Sequence, residues 1–141
     1  MTKGDVEALI SKAYEAQKFS YSPYSHFQVG AALLSKDGKV YLGCNIENGA
    51  YTPTNCAERT AFFKAVSEGN KEFLAIAIVG NKESVVPDME DFISPCGVCR
   101  QVMAEFCNPD EFIIIMANRP DNYKQYTLRE LLPMGFSLDI R

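Results

Sequence analysis

Two short groups of residues could do chemistry together. One is Cys96-Gly97-Val98-Cys99, preceded by Pro95; the other is Cys56-Ala57-Glu58, 40 residues upstream. A C-x-x-C pair at a helix start serves equally as a redox dithiol or as half of a metal site. The third cysteine favours metal. Three thiolates on one ion leave a tetrahedral corner open, which distinguishes catalytic from structural zinc. Zinc lowers the pKa of water at that corner to about 7. A nearby carboxylate can then take the released proton and pass it on.

Glu58 is the carboxylate at hand, with Cys56, Cys96 and Cys99 as the candidate metal ligands. Spacing alone does not place it in the pocket. On an ideal helix, side chains two residues apart point about 200° from each other. The plain alternative is a surface charge suited to a helix N-terminus. Arg59 is similarly two-sided. Three thiolates on a dication leave about one excess negative charge, which an arginine hydrogen-bonded to the sulfurs would offset; otherwise it is a solvated helix arginine. Cys44 and Cys107 stand apart from both groups and read as small buried hydrophobes. His26, the only histidine, lies in a polar loop, and the sulfur set is sufficient without it.

These groups need elements to carry them. Gly4 to Lys18 has helical spacing of Val6, Leu9, Ile10, Ala13 and Tyr14, with Asp5 and Glu7 near its start. A loop, Ser20 to His26, contains Pro23. Phe27 to Leu34 and Val40 to Ile46 read as a hairpin around Lys36-Asp37-Gly38-Lys39. After a loop from Gly49 to Asn55, Cys56 to Glu68 is a helix closed by Gly69. Phe73 to Val79 and Phe112 to Met116 are apolar runs typical of doubly covered strands. Between them lie a loop, Gly80 to Ser94, and a helix, Cys96 to Phe106. Pro120 to Tyr126 reads as loop, Thr127 to Leu132 as a short helix capped by Thr127 and Glu130, and Pro133 to Arg141 as a tail. The order predicts an α/β sandwich around a mixed sheet, with right-handed crossovers between later strands. No repeat or linker divides residues 1–141, so one domain is expected.

The composition narrows the partners. With 14 basic and 18 acidic residues the formal charge is −4, and the basic residues form no run. That argues against a nucleic-acid surface and suits a small neutral substrate. No stretch approaches the roughly 20 apolar residues of a membrane span, and Met1 to Leu9 lacks an apolar signal region. A cytoplasmic protein with reduced cysteines is expected.

The sequence resembles the cytidine deaminase family in its short, all-cysteine form. The resemblance rests on Tyr21-Ser22-Pro23-Tyr24-Ser25, Phe27 to Leu33, Asn45-Ile46-Glu47-Asn48, Asn55 to Ala61 (NCAERTA), Ser94 to Val102 (SPCGVCRQV), and Leu131-Leu132-Pro133 with Phe136. It implies a three-layer α/β/α fold with a five-stranded mixed sheet and a homotetramer with shared active sites. It also implies zinc-dependent deamination of cytidine and 2′-deoxycytidine in pyrimidine salvage. By the same resemblance, Asn45 and Glu47 hold the ribose hydroxyls, Ala57 offers its backbone to the pyrimidine edge, and Phe27 packs on the nucleoside. Tyr51 and Phe136 reach neighbouring pockets, and Arg59 bonds the zinc thiolates. A non-ligating glutamate beside cysteine ligands is the acid/base of zinc deaminases in general; Glu58 matches it.

Taken without that resemblance, Asn45 and Glu47 are loop-entry polar residues, and Phe27 and Phe136 belong to core or interface. Gln28 stands where the family often has proline, Gly49 where alanine is frequent, and the acidic loop Gly80 to Ser94 is long. The nearest rival is a same-fold deaminase of another aminopyrimidine nucleoside, of the blasticidin-S type. Further off are a zinc-stabilised binding module and a redox dithiol protein.

Overall fold

The computed structural model describes residues 1–138; the end of the expected tail, residues 139–141, lies outside the described residues. Helix α1 (Lys3–Gln17) begins one residue before expectation because Thr2 and Asp5 cap it reciprocally. Its buried stripe is Val6, Leu9, Ile10, Ala13 and Ala16. Strands β1 (Phe27–Ser35) and β2 (Val40–Cys44) form the expected hairpin, and β2 ends two residues early. Helix α2 (Ala57–Ser67), strand β3 (Phe73–Lys82), helix α3 (Gly97–Phe106) and strand β4 (Ile113–Arg119) come next along the chain. Both β3 and β4 run three residues further than their apolar cores suggest.

One expectation is corrected. Residues 120–126 are not a loop: strand β5 (Asn122–Thr127) returns antiparallel to β4 after a two-residue turn at Pro120-Asp121. Its Asn122-Tyr123-Lys124-Gln125-Tyr126 carries no apolar alternation because it is a partly exposed edge strand. Charged side chains such as Lys124 suit an edge that must not pair further. The short helix α4 (Leu128–Leu131) then starts from the Thr127–Glu130 capping box, as the sequence indicates.

The sheet is five-stranded and mixed, in the order β2-β1-β3-β4-β5. Strand β1 is antiparallel to both β2 and β3, and β3 is parallel to β4. Hence β2, β3 and β4 all point the same way. Alternation along the strands separates two faces. Ala32, Ala75, Ala77, Val79 and Ala117 pack under α1 with Ile115, whereas Leu33, Ile76, Ile78, Ile114 and Met116 pack against α2 and α3. Small side chains on the first face let α1 sit close, and Gly30 takes this furthest. A Cβ there would lie 2.1 Å from the carbonyl oxygen of Ala13 and 2.6 Å from the Gln17 nitrogen. Neither backbone atom can yield, so Gly30→Ala is expected to cost roughly 2–3 kcal/mol of stability. A urea melt reads this directly; an unchanged midpoint would show that α1 can move off β1 freely.

Gly43 does the same for the other face. A Cβ there would lie 2.3 Å from the Ala57 oxygen and 2.5 Å from the Ala61 nitrogen. The first turn of α2 is therefore seated directly on the end of β2.

Candidate active site

The strand directions bring the chemistry together. Helix α2 follows β2 and α3 follows β3, so both helices begin at the same edge of the sheet and on the same face. Each starts from a cysteine. Cys56 is the N-cap of α2 and Cys96 the N-cap of α3, both with extended backbone (ψ 157° and 167°). Cys99 lies in the first turn of α3 and is fully buried. The Cys56 and Cys96 sulfurs are 3.9 Å apart, those of Cys96 and Cys99 3.4 Å, and all three lie within 4.8 Å of one another. Among the described residues this is the one cluster of three or more candidate metal donors.

These spacings fit zinc. Tetrahedral zinc with Zn–S bonds near 2.3 Å sets its sulfurs about 3.8 Å apart. The charges fit as well. A hydrogen bond from Cys99, then the neighbouring Arg59 guanidinium, bring the Cys56 thiol down to about 5. The Cys99 thiol is pushed upward by its bond to Cys56 and by burial. Three sulfurs this close resist ionising together, and a divalent cation would remove that resistance.

Glu58 is 5% exposed, beside this cluster. Burial pushes its carboxyl up to about 7, and the nearby Cys56 charge adds to the rise. The helical offset that separates it from Cys56 on paper does not apply, because Cys56 sits outside the helix on extended backbone. Arg59 donates from Nη2 to the Cys56 sulfur at 3.2 Å. Its Nε is buried and bonds nothing among the described residues. Ala57 is fully buried at the helix start between them.

Phe27, Asn45 and Glu47, which the resemblance assigns to the substrate, lie at this same end of the sheet. Phe27 opens β1 and pairs with Lys82 of β3. The Asn45 carboxamide donates to the Phe27 carbonyl at 2.8 Å and accepts from Val29 N–H at 3.0 Å and from the Ser20 hydroxyl. Glu47 accepts from the Tyr24 and Ser25 N–H groups at 3.0 and 3.2 Å and from the Ser25 hydroxyl, which draws its carboxyl downward. Both residues thus pin the 20–26 loop to the sheet. Tyr51 is exposed, has positive φ (63°) and meets Tyr24 edge-on, with ring centroids 6.4 Å apart. Phe136 is also exposed, tied by its carbonyl to the Gln101 side chain at 3.0 Å.

His26 pairs with Glu83 (Nδ1–Oε2 3.5 Å) and belongs to no donor cluster. Cys44 and Cys107 are partly buried and apart from the sulfur site. Sequence reasoning missed Arg100. It donates from Nε to the Pro95 carbonyl at 2.7 Å, from Nη2 to Ser94 at 3.3 Å, and from Nη1 to the Leu131 carbonyl. It fastens the turn that delivers Cys96. The available signal was a cation in the first turn of a helix, where the dipole disfavours one.

Fold and site together define a hydrolytic deaminase. The model of a family described as the cytidine and deoxycytidylate deaminase zinc-binding region matches residues 3–116, and the chain belongs to that family. A cytidine deaminase from Sporosarcina psychrophila is 52% identical over 133 residues, 94% of this chain and 92% of that one. The crystal structure of a cytidine deaminase from Burkholderia pseudomallei superposes with a TM-score of 0.83 at 43% identity, covering 96% of this chain and all of the other. A blasticidin-S deaminase from Bacillus cereus is 33% identical over 138 residues, 97% of this chain and 95% of that one. No helix among the described residues is long and apolar enough to cross a membrane.

Proposed function

We propose that this enzyme hydrolyses the exocyclic amine of cytidine and 2′-deoxycytidine, releasing ammonia and leaving uridine or 2′-deoxyuridine. The observation that carries this reading is a buried Glu58 beside three sulfurs within 4.8 Å of one another, in a chain of this family. Zinc held by Cys56, Cys96 and Cys99 would supply, at the corner three ligands leave open, a water acidified to a pKa of about 7. Glu58 takes one proton from the attacking water and gives it to ring atom N3 as the C4–O bond forms. It then takes the remaining proton of that C4 hydroxyl and passes it to the amino group, so the C4–N bond breaks, ammonia leaves and C4 keeps its oxygen as a carbonyl. Arg59 holds the Cys56 sulfur in place and offsets part of the thiolate charge.

The nucleoside's sugar lies toward Asn45 and Glu47, whose one remaining amide hydrogen and one remaining carboxylate lone pair suit hydroxyl groups. Its ring lies along Phe27 and the Ala57 backbone. Tyr51 and Phe136 stand exposed in the single chain, as residues completing a neighbour's pocket in a homotetramer would. A reducing, cytoplasmic setting suits a chain whose cysteines serve as metal donors or stay unpaired, and the products suit pyrimidine salvage.

The test is ultraviolet monitoring of cytidine with purified protein. Cytidine and deoxycytidine should be converted. Free cytosine, which forgoes the sugar contacts, should react with a kcat/KM at least about 100-fold lower. The 52% relative and the ribose-suited pair favour this over a blasticidin-type substrate. Turnover of blasticidin S but not of cytidine would reverse that choice.

A further inference from the structure

At the turn between β4 and β5 the pairing slips: Ala117 pairs with Tyr123 and Arg119 with Asn122, leaving Asn118 as an extra residue. Such a bulge re-aims a side chain. Asn118 is 5% exposed, and its Nδ2 lies 3.0 Å from each of three carbonyl oxygens, those of Asp88, Met89 and Asp91. Two hydrogens serve three acceptors, so one bond is shared. The Asn122 amide donates to the Asn118 Oδ1 at 2.7 Å, and this fixes which way the Asn118 amide faces. Asn122 Nδ2 also donates to the Met89 carbonyl at 3.1 Å, so the two asparagines hold one loop whose Val85, Val86 and Met89 are all at least half exposed.

The residues just beyond this grip reach the site. Phe92 packs on the core face shared with α2 and α3, with the Lys124 ammonium 4.9 Å above its ring. Ile93 lies over Gly80: a Cβ there would be 1.8 Å from Ile93 Cδ1 and 3.2 Å from Phe27 Cε1. Ile93 and Phe27 therefore share the space that a side chain at position 80 would fill. Beside them is a cavity of about 340 Å³ lined by Phe27, Val85, Pro87, Phe92 and Ile93, among others. Pro95 and Cys96 come next along the chain.

We propose that Asn118 is a positioning residue for the nucleoside pocket: it clamps the 88–91 backbone, which seats Ile93 against Phe27 and so sets the ring on which the substrate packs. This rests on the deaminase reading, in which Phe27 meets the nucleoside. Asn118 touches no reacting atom, so its effect belongs in substrate affinity rather than in the chemical step.

The test compares Asn118→Ala, Asn118→Asp, Ile93→Ala and the Asn118→Ala/Ile93→Ala double variant with the parent, by steady-state kinetics, zinc content and hydrogen exchange. Asn118→Ala should raise KM for cytidine about ten-fold with kcat within about three-fold and zinc retained. Asn118→Asp should raise it further, because a carboxylate would face three carbonyl oxygens. Amides 84–91 should exchange faster in both. In the Ile93→Ala background, Asn118→Ala should add less than about two-fold, as expected when one residue acts through the other. An unchanged KM, or two effects that simply multiply, overturns the proposal. Should Asn118→Ala lose zinc or cooperative unfolding, Ile93→Ala alone decides: a raised KM sustains the link to Phe27 and an unchanged one ends it. A parent inactive on cytidine would instead fail the deaminase reading, and the exchange rates would still judge the clamp.

Discussion

A Glu58→Gln enzyme is expected to convert cytidine about four orders of magnitude more slowly than the parent while keeping its metal. That loss corresponds to a barrier about 5 kcal/mol higher. Glutamine fills the same buried space and keeps hydrogen-bonding capacity, but it can neither accept a proton from water nor deliver one to N3. The side chain is only 5% exposed, so bulk water cannot readily take over as base. Its burial also raises the carboxyl to about 7, which suits a group that must both take and return a proton near neutrality. Because the sulfurs alone hold the ion in this scheme, metal content should stay near one per chain. Steady-state kinetics beside elemental analysis check both halves. Equal rates would remove Glu58 from the chemistry, and metal loss would make it a ligand.

Cys99→Ser should have the next largest effect, and by another route. Serine keeps the shape of this fully buried side chain with a slightly smaller polar atom, so packing changes little. A neutral hydroxyl binds zinc far less well than a thiolate. With only Cys56 and Cys96 left, dialysed protein should carry less than about a tenth of an equivalent of zinc and show no measurable turnover. Its melting temperature should fall as well, since an ion that binds only the folded chain stabilises it. Cys107→Ser, at a cysteine remote from the sulfur cluster, should keep its zinc. Full zinc loading of the Cys99→Ser protein would show that Cys99 does not hold the ion.

Much of this was local information. The cysteine groups, the neighbouring glutamate and arginine, the Thr127–Glu130 cap and the apolar cores of β3 and β4 are contiguous in sequence. Residue type and spacing over a few positions are enough to read them. Strand β5 was hidden for a related reason. An edge strand with polar residues on both faces has no periodicity to read, and only its ladder with β4 makes it a strand.

The donor chemistry, the helices that carry it and the α/β class were all determined by the chain's own residue order. The convergence was decided in three dimensions. Cys56 and Cys96 meet because β2 and β3 run the same way, so two helices start at one sheet edge. Glu58 faces the sulfurs because Cys56 caps its helix on extended backbone and escapes the helical rotation. The bulge that turns Asn118 onto a loop 27 to 30 residues away likewise exists only once β4 and β5 have paired. Spacing along a chain records local geometry; strand direction, cap conformation and bulges arise from contacts between segments that no short window contains.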